Sequence, residues 1–310
     1  MQSFLPEGLL SLTEENTQNL KNITTLQEAM INQKIVEARA VICDNEHNLV
    51  VDLGCMKGII PKEECAIGIS EGTTRDIAII SKVNKPVCFY ITNIQTKTNG
   101  KPIAFLSRKL VQMDCHRNYI SKLIPGDIIQ AKVTHLEPFG CFVDIGCGIV
   151  SFIPIDSISI SRISHPNERF EIGQHIHAVV KGFDDTGKLC LSHKELLGTW
   201  EENASHFRAG ETVAGIVRSI EEYGIFVELT PNLAGLAEFK DDVKIGQQAS
   251  VYIKSLIPEK MKIKLNIVDS FDADYPSSKY SYYINSNHID YFRYSPDCSQ
   301  RVVETVFQKT

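Results

Sequence analysis

The chain repeats itself, and an internal repeat constrains a fold more than any other feature of a single sequence. Residues 126–145 read GDIIQAKVTHLEPFGCFVDI, and residues 210–229 read GETVAGIVRSIEEYGIFVEL. At one constant offset Gly126 falls on Gly210, Val133 on Val217, Gly140 on Gly224, Phe142 on Phe226 and Val143 on Val227. A fainter copy lies upstream, where HNLVVDLG at 47–54 falls on FGCFVDIG at 139–146. Each copy continues to a glycine and two apolar residues: Gly58-Ile59-Ile60, Gly148-Ile149-Val150 and Gly235-Leu236-Ala237. One supersecondary unit is therefore expected three times.

Each unit reads as short strands. In the second, Ile129, Ala131 and Val133 alternate with Gln130, Lys132 and Thr134, and Cys141, Val143 and Ile145 alternate with Phe142 and Asp144. Strict alternation means a strand with one face on a core and the other on solvent. Further strands are expected near 175–182 and 187–192, joined by the turn Asp184-Asp185-Thr186-Gly187. Five short strands in about 70 residues predict a small closed antiparallel barrel.

The order of glycine, strand, Phe-Gly-x-Phe-Val-Asp, Gly-Ile-Val, a loop with proline, a second glycine and a final Leu-Ser resembles the RNA-binding repeat of the bacterial ribosomal protein S-one family. The resemblance implies a mainly β chain of three tandem five-stranded oligonucleotide/oligosaccharide-binding (OB) barrels. It covers about two thirds of the chain. It is strongest over 125–194 (repeat two), good over 208–267 (repeat three) and weaker over 33–112 (repeat one). In repeat one, Gly100-Lys101-Pro102-Ile103-Ala104-Phe105-Leu106-Ser107-Arg108 reads as the closing strand.

The remaining segments are read from local signals. Residues 1–32 are expected to be helical, with Ser11-Leu12-Thr13-Glu14 as a capping box and a second helix from Thr25 to Asn32. Residues 195–207 predict an amphipathic linker helix of about three turns, because Leu196, Trp200, Ala204 and Phe207 share one face. Trp200 is expected to pack between barrels. The tail, 268–310, carries Tyr275, Tyr280, Tyr282, Tyr283, Tyr291 and Tyr294 with Phe271, Phe292 and Phe307. A hairpin turning at Asn285-Ser286-Asn287 is expected there. Its rings either cover the third barrel or close a contact, or else form a nucleic-acid platform.

Strand parity also picks out candidate binding residues. In repeat two Phe142 points outward, with Phe139 just before its strand. In repeat three Phe226 points outward, with Tyr223 before it, while Ile225, Val227 and Leu229 point inward. A barrel core has no use for outward rings, whereas two rings on one face make a stacking platform for unpaired bases, at about 1–3 kcal/mol per base. Candidate phosphate contacts are Lys132 and Lys188 in repeat two and Arg218, Lys262 and Lys264 in repeat three. The resemblance further implies RNA contacts from an Asp before the last turn and a basic residue four positions on, which Asp184 and Lys188 match. In repeat three Pro258 replaces that Asp, and Glu238 stands where the family often has His. Weaker binding by repeat three is expected. Repeat one lacks the platform: Val50 and His47 take the aromatic positions. The long loop 157–172 offers Arg162 and Arg169 as an optional side wall to the repeat-two groove.

Composition limits the alternatives. The net charge is −6, from 32 Lys and Arg against 38 Asp and Glu. That acidity sits mostly in the N-terminal segment, the linker and the tail, whereas 30–112 is net basic. Affinity for nucleic acid is therefore expected from stacking more than from long-range charge. Nine cysteines without a CxxC pair read as reduced thiols in a cytoplasmic protein. Glu7, Glu14 and Glu15 near the start argue against a signal peptide, and no apolar run suits a bilayer span. No GxxxxGK[ST], HExxH or zinc-spaced set is present in the sequence. No catalytic residue, metal or cofactor is assigned, and no enzymatic activity is expected. The expected function is non-enzymatic binding of single-stranded RNA on repeats two and three, in translation or RNA metabolism, with repeat one docking on the small ribosomal subunit. The alternative is an adaptor whose barrels bind protein, either the ribosome or an RNA-degradation complex.

Overall fold

Alternating apolar residues build fifteen strands, which close into three five-stranded barrels. The computed structural model describes residues 4–96, 101–185, 187–273 and 280–307. Gly100 of the expected closing strand, Thr186 of the expected turn and Tyr275 of the tail lie outside the described residues. The first barrel comprises β1 (Val36–Cys43), β2 (Leu49–Asp52), β3 (Lys57–Ile60), β4 (Pro86–Thr96) and β5 (Pro102–Ser107), in the order β1-β2-β3-β5-β4. The second comprises β6 (Ile128–Glu137), β7 (Gly140–Asp144), β8 (Val150–Pro154), β9 (His175–Phe183) and β10 (Leu189–Ser192). The third comprises β11 (Thr212–Glu221), β12 (Gly224–Thr230), β13 (Leu233–Ala237), β14 (Gln248–Ile257) and β15 (Lys262–Phe271). This is the OB architecture, with one correction to the expected antiparallel pairing. Each barrel closes through one parallel pair: β3 with β5, β8 with β10 and β13 with β15.

The inward residues are those that alternation predicts. Ile129, Ala131, Val133, Cys141, Val143 and Ile145 are buried in the second barrel, and Val217, Ile225 and Val227 in the third. Leu229 departs. A register shift between Glu228 and Thr230 breaks the parity, so Glu228 is buried and Leu229 half-buried. Gly140 and its equivalent Gly224 sit where strands nearly touch. A Cβ on Gly140 would lie 2.4 Å from the Ile153 carbonyl oxygen, and one on Gly224 2.4 Å from that of Ala237.

The chain divides into two compact units: Met1–Leu123 with Gln130–Lys132 and Asp144–Val150, and Ile124–Ile129 with Val133–Val143 and Ser151–Thr310. In the first unit, α1 (Glu14–Asn19) and α2 (Ile23–Ile31) precede the barrel. The expected capping box at Ser11 is not formed. Thr13 caps α1 instead, accepting from Asn16 N, and Asn22 forms a reciprocal box with Thr25 ahead of α2. A short α3 (Ile77–Ile80) lies between β3 and β4, and α4 (Arg108–Asn118) follows β5, capped by Ser107. The Glu7 carboxylate is buried and accepts from Arg108 Nε at 2.6 Å and Lys82 Nζ at 2.7 Å. Burial opposes its ionisation, but the two cations outweigh burial and hold its pKa down at about 2.

In the second unit the linker is not one helix. A 3-10 turn over Lys194–Leu197 and the short α5 (Trp200–Ala204) are separated by Gly198 at φ +85, a left-handed conformation that ends the helical path. Trp200 is buried in the third barrel's core with Phe292, Tyr294 and Phe307 of the tail. The expected hairpin at 285–287 is likewise absent. Residues 287–289 run alongside the start of β6 instead: Ile128 N donates to the Asn287 carbonyl, and Ile289 N to that of Gly126. The tail's own strands are β16 (Tyr291–Arg293) and β17 (Glu304–Val306), which pair antiparallel. Of the two readings of the tail rings, the structure gives packing: Phe292, Tyr294 and Phe307 join the third core, while Tyr280 and Tyr282 close over His193 of the second barrel. Among the described residues no helix is long and apolar enough to cross a membrane.

Candidate nucleic-acid interface

On the second barrel, short strands and a tight turn bring three phenylalanines together. Phe139 stands at the β6–β7 turn and is 58% exposed. Phe142 on β7 and Phe152 on β8 are half-buried. Ring centroids are 6.3 Å apart for Phe139 and Phe142, 5.7 Å for Phe139 and Phe152, and 5.1 Å for Phe142 and Phe152. His135 on β6 adds a fourth ring 6.4 Å from Phe142. The sequence reading missed Phe152 and His135. The signal for Phe152 was available: Ser151 and Ile153 on either side of it point inward.

The third barrel holds a reduced version. Tyr223 is 70% exposed and lies edge-on to Phe226 at 6.1 Å. Phe226 pairs with Leu236 on β13, and Leu236 with Lys264 on β15, so one row across three strands carries ring, aliphatic and cation. The equivalent row of the first barrel is Val50, Ile59 and Phe105. Its one ring therefore sits on a different strand and is half-buried.

The candidate cations divide into two groups. Lys188, Lys262 and Lys264 are exposed. Asp184 is exposed too and, instead of facing outward alone, its Oδ1 accepts the Lys188 amide at 2.9 Å, which shapes the β9–β10 turn. Lys132 and Arg218 are corrections. Lys132 Nζ donates to the Glu7 carbonyl at 2.7 Å. Arg218 is bound to the buried Glu228 through Nε at 2.7 Å and pairs also with Glu168. Arg169 likewise pairs with Glu228 at 2.5 Å and is 3% exposed. Within the second unit, Glu168, Arg218, Glu228 and Arg169 form a balanced ionic chain that ties the long loop of the second barrel to the third. That loop is a structural staple, and of its two arginines only Arg162 is exposed. Glu238 is exposed and paired with Lys254 at 2.7 Å; that hydrogen bond holds its carboxyl below the usual range.

The chain is similar to several known proteins. The family model described as S1 RNA binding domain matches residues 122–194. Small ribosomal subunit protein bS1 of Staphylococcus aureus (strain COL) is 28% identical over 277 residues, covering 84% of this chain and 68% of that protein. The bS1 homolog of Bacillus cereus (strain ATCC 10987) is 28% identical over 249 residues, covering 76% of this chain and 63% of that one. Among solved structures, a multidomain protein with nucleic acid binding domains from Streptococcus pneumoniae matches at 14% identity and a TM-score of 0.24, covering 77% of this chain and 75% of that one. GSP13 from Bacillus subtilis matches at 26% identity and a TM-score of 0.22, covering 23% of this chain and 55% of that one. The chain thus carries an S1 RNA binding domain at residues 122–194 and is homologous to bacterial small ribosomal subunit protein bS1.

Proposed function

We propose that this protein is a non-enzymatic, cytoplasmic RNA-binding protein of translation that holds single-stranded RNA on repeats two (125–194) and three (208–267). The observation that carries the reading is the recurrence of outward rings on equivalent strands: Phe139, Phe142 and Phe152 on one barrel, Tyr223 and Phe226 on the next. Only an unpaired base can lie on such a ring, so the ligand is single-stranded. Lys188, with Asp184 shaping its turn, serves the phosphates beside the first platform, and Lys262 and Lys264 those beside the second. Repeat two is the stronger binder because it carries more rings and no carboxylate equivalent to Glu238. Repeat one (33–112), with no ring pair and a net basic composition, docks on the small ribosomal subunit.

The test is binding of a fluorescent single-stranded RNA to the wild type and to Phe139→Ala/Phe142→Ala. Loss of the platform should weaken binding by about 5- to 150-fold, since one base stack contributes about 1–3 kcal/mol. Equal affinities would remove the assignment from repeat two. The half-buried, ring-poor row of the first barrel also favours a second reading, an adaptor that binds protein alone. Ribosome association that survives both nuclease and the double substitution would favour it.

A further inference from the structure

Beside Phe226 the second unit contains a cleft of about 780 Å³, within the range of small-molecule and cofactor sites. Three separate stretches of chain wall it. Phe226, Ala234 and Lys262 come from the third barrel's own sheet, with Lys260 from its β14–β15 turn. Arg162 comes from the long loop of the second barrel, and Arg301 from the tail. Four of the lining side chains are cationic, and Glu259 is the one carboxylate among them.

Both added walls are held by hydrogen bonds that do not use their guanidinium groups. The loop is fixed by Ser161 N donating to the Pro231 carbonyl at 3.1 Å and Ile160 N to Asn232 Oδ1 at 3.0 Å. The tail is fixed by Gln300 N donating to the Glu259 carbonyl at 3.1 Å, and Arg301 N to Ser299 Oγ at 3.2 Å. Arg162 and Arg301 are exposed, and their guanidinium groups make no hydrogen bond or ion pair among the described residues. Elsewhere in this unit Arg169 and Arg218 are neutralised by carboxylates. An aromatic ring lining the same cleft as four cations and one acid matches a base with its flanking phosphates, and guanidinium groups suit phosphate oxygens geometrically.

We propose that this cleft is a nucleotide pocket in which one base of the RNA strand lies on Phe226, while Arg162 and Arg301, both outside repeat three, hold the neighbouring phosphates. The proposal rests on the RNA-binding reading and extends it. The tail and the second barrel's loop become parts of the third barrel's binding site, which compensates for the smaller ring set on that barrel.

The experiment compares wild type, Arg162→Ala/Arg301→Ala and the charge-matched Lys21→Ala/Arg117→Ala in titrations with a short single-stranded RNA across a salt series, with thermal unfolding as a check on folding. Loss of two phosphate contacts should weaken binding about tenfold at low salt and make the salt slope shallower by about 1.4, at about 0.7 per phosphate. The charge-matched variant should behave as wild type. Unchanged affinity and slope in the cleft variant, with wild type binding RNA, would overturn the pocket and leave the RNA reading intact. No RNA binding by wild type at low salt would overturn the RNA reading itself. A nucleoside monophosphate that displaces the strand at equal concentration would reassign the cleft to free nucleotides.

Discussion

His193 lies outside the candidate binding surface, where the tail packs on the second barrel. It is fully buried, 5.0 Å from the Phe170 ring and 5.1 Å from Tyr280. Its Nδ1 lies 3.0 Å from the Ile158 carbonyl, so Nδ1 carries the proton, and Nε2 faces Tyr282 Oη at 3.3 Å. Burial pushes its pKa down to about 4. The folded protein therefore keeps it neutral while the unfolded chain takes up a proton below the ordinary value of 6.5. Stability from this group is complete above pH 6.5 and is lost as pH falls from there toward 4, by roughly 3 kcal/mol in all. Denaturant unfolding at pH 7 and pH 5 should show a larger acid loss in wild type than in His193→Gln. Parallel losses would mean that burial does not hold the imidazole neutral.

At the scale of elements, the long loop of the second barrel is decided by its ionic chain. Arg169 and Glu228 are almost without solvent, and removing one partner of a buried pair leaves the other charge uncompensated. Arg169→Met should cost about 3 kcal/mol, the lower end of the usual range because Arg218 still faces Glu228. Its thermal midpoint should fall clearly below that of an exposed control such as Lys188→Met. Equal midpoints would show that the loop is not a staple. The linker teaches a related lesson. Leu196, Trp200, Ala204 and Phe207 share helical spacing and do bury apolar surface, yet Gly198 divides the segment by its left-handed φ of +85, and a Cβ there would also meet the Tyr283 ring at 2.7 Å. Spacing reported burial correctly and continuity incorrectly.

Taken as a whole the molecule is acidic, at −6, and this limits how it can bind a polyanion. Of the five cations proposed from sequence, Lys132 and Arg218 are engaged internally, which leaves Lys188, Lys262 and Lys264, joined by Arg162 and Arg301 of the cleft. A count of about three to five phosphates gives a logarithmic salt slope of about −2 to −3.5 for single-stranded RNA. A slope steeper than about −5 would mean that charge, and not ring stacking, supplies most of the affinity.

The alternation of apolar residues and the glycine positions alone determined the three barrels, the inward faces and the outward Phe139, Phe142, Tyr223 and Phe226, because these follow from a two-residue period along a strand. The same logic, carried one strand further, would have reached Phe152. The tertiary structure alone decided which charges remain available. Lys132 meets a carbonyl 125 residues away, and Arg218 a carboxylate 50 residues away, and no local pattern encodes partners at such separations. It also decided the parallel closure of each barrel, the role of the tail and the meeting of Arg162, Phe226 and Arg301 at one cleft. The physical reason is the same throughout: a strand's period is written in neighbouring residues, whereas ion pairs, barrel closure and clefts depend on contacts formed only once distant segments have packed.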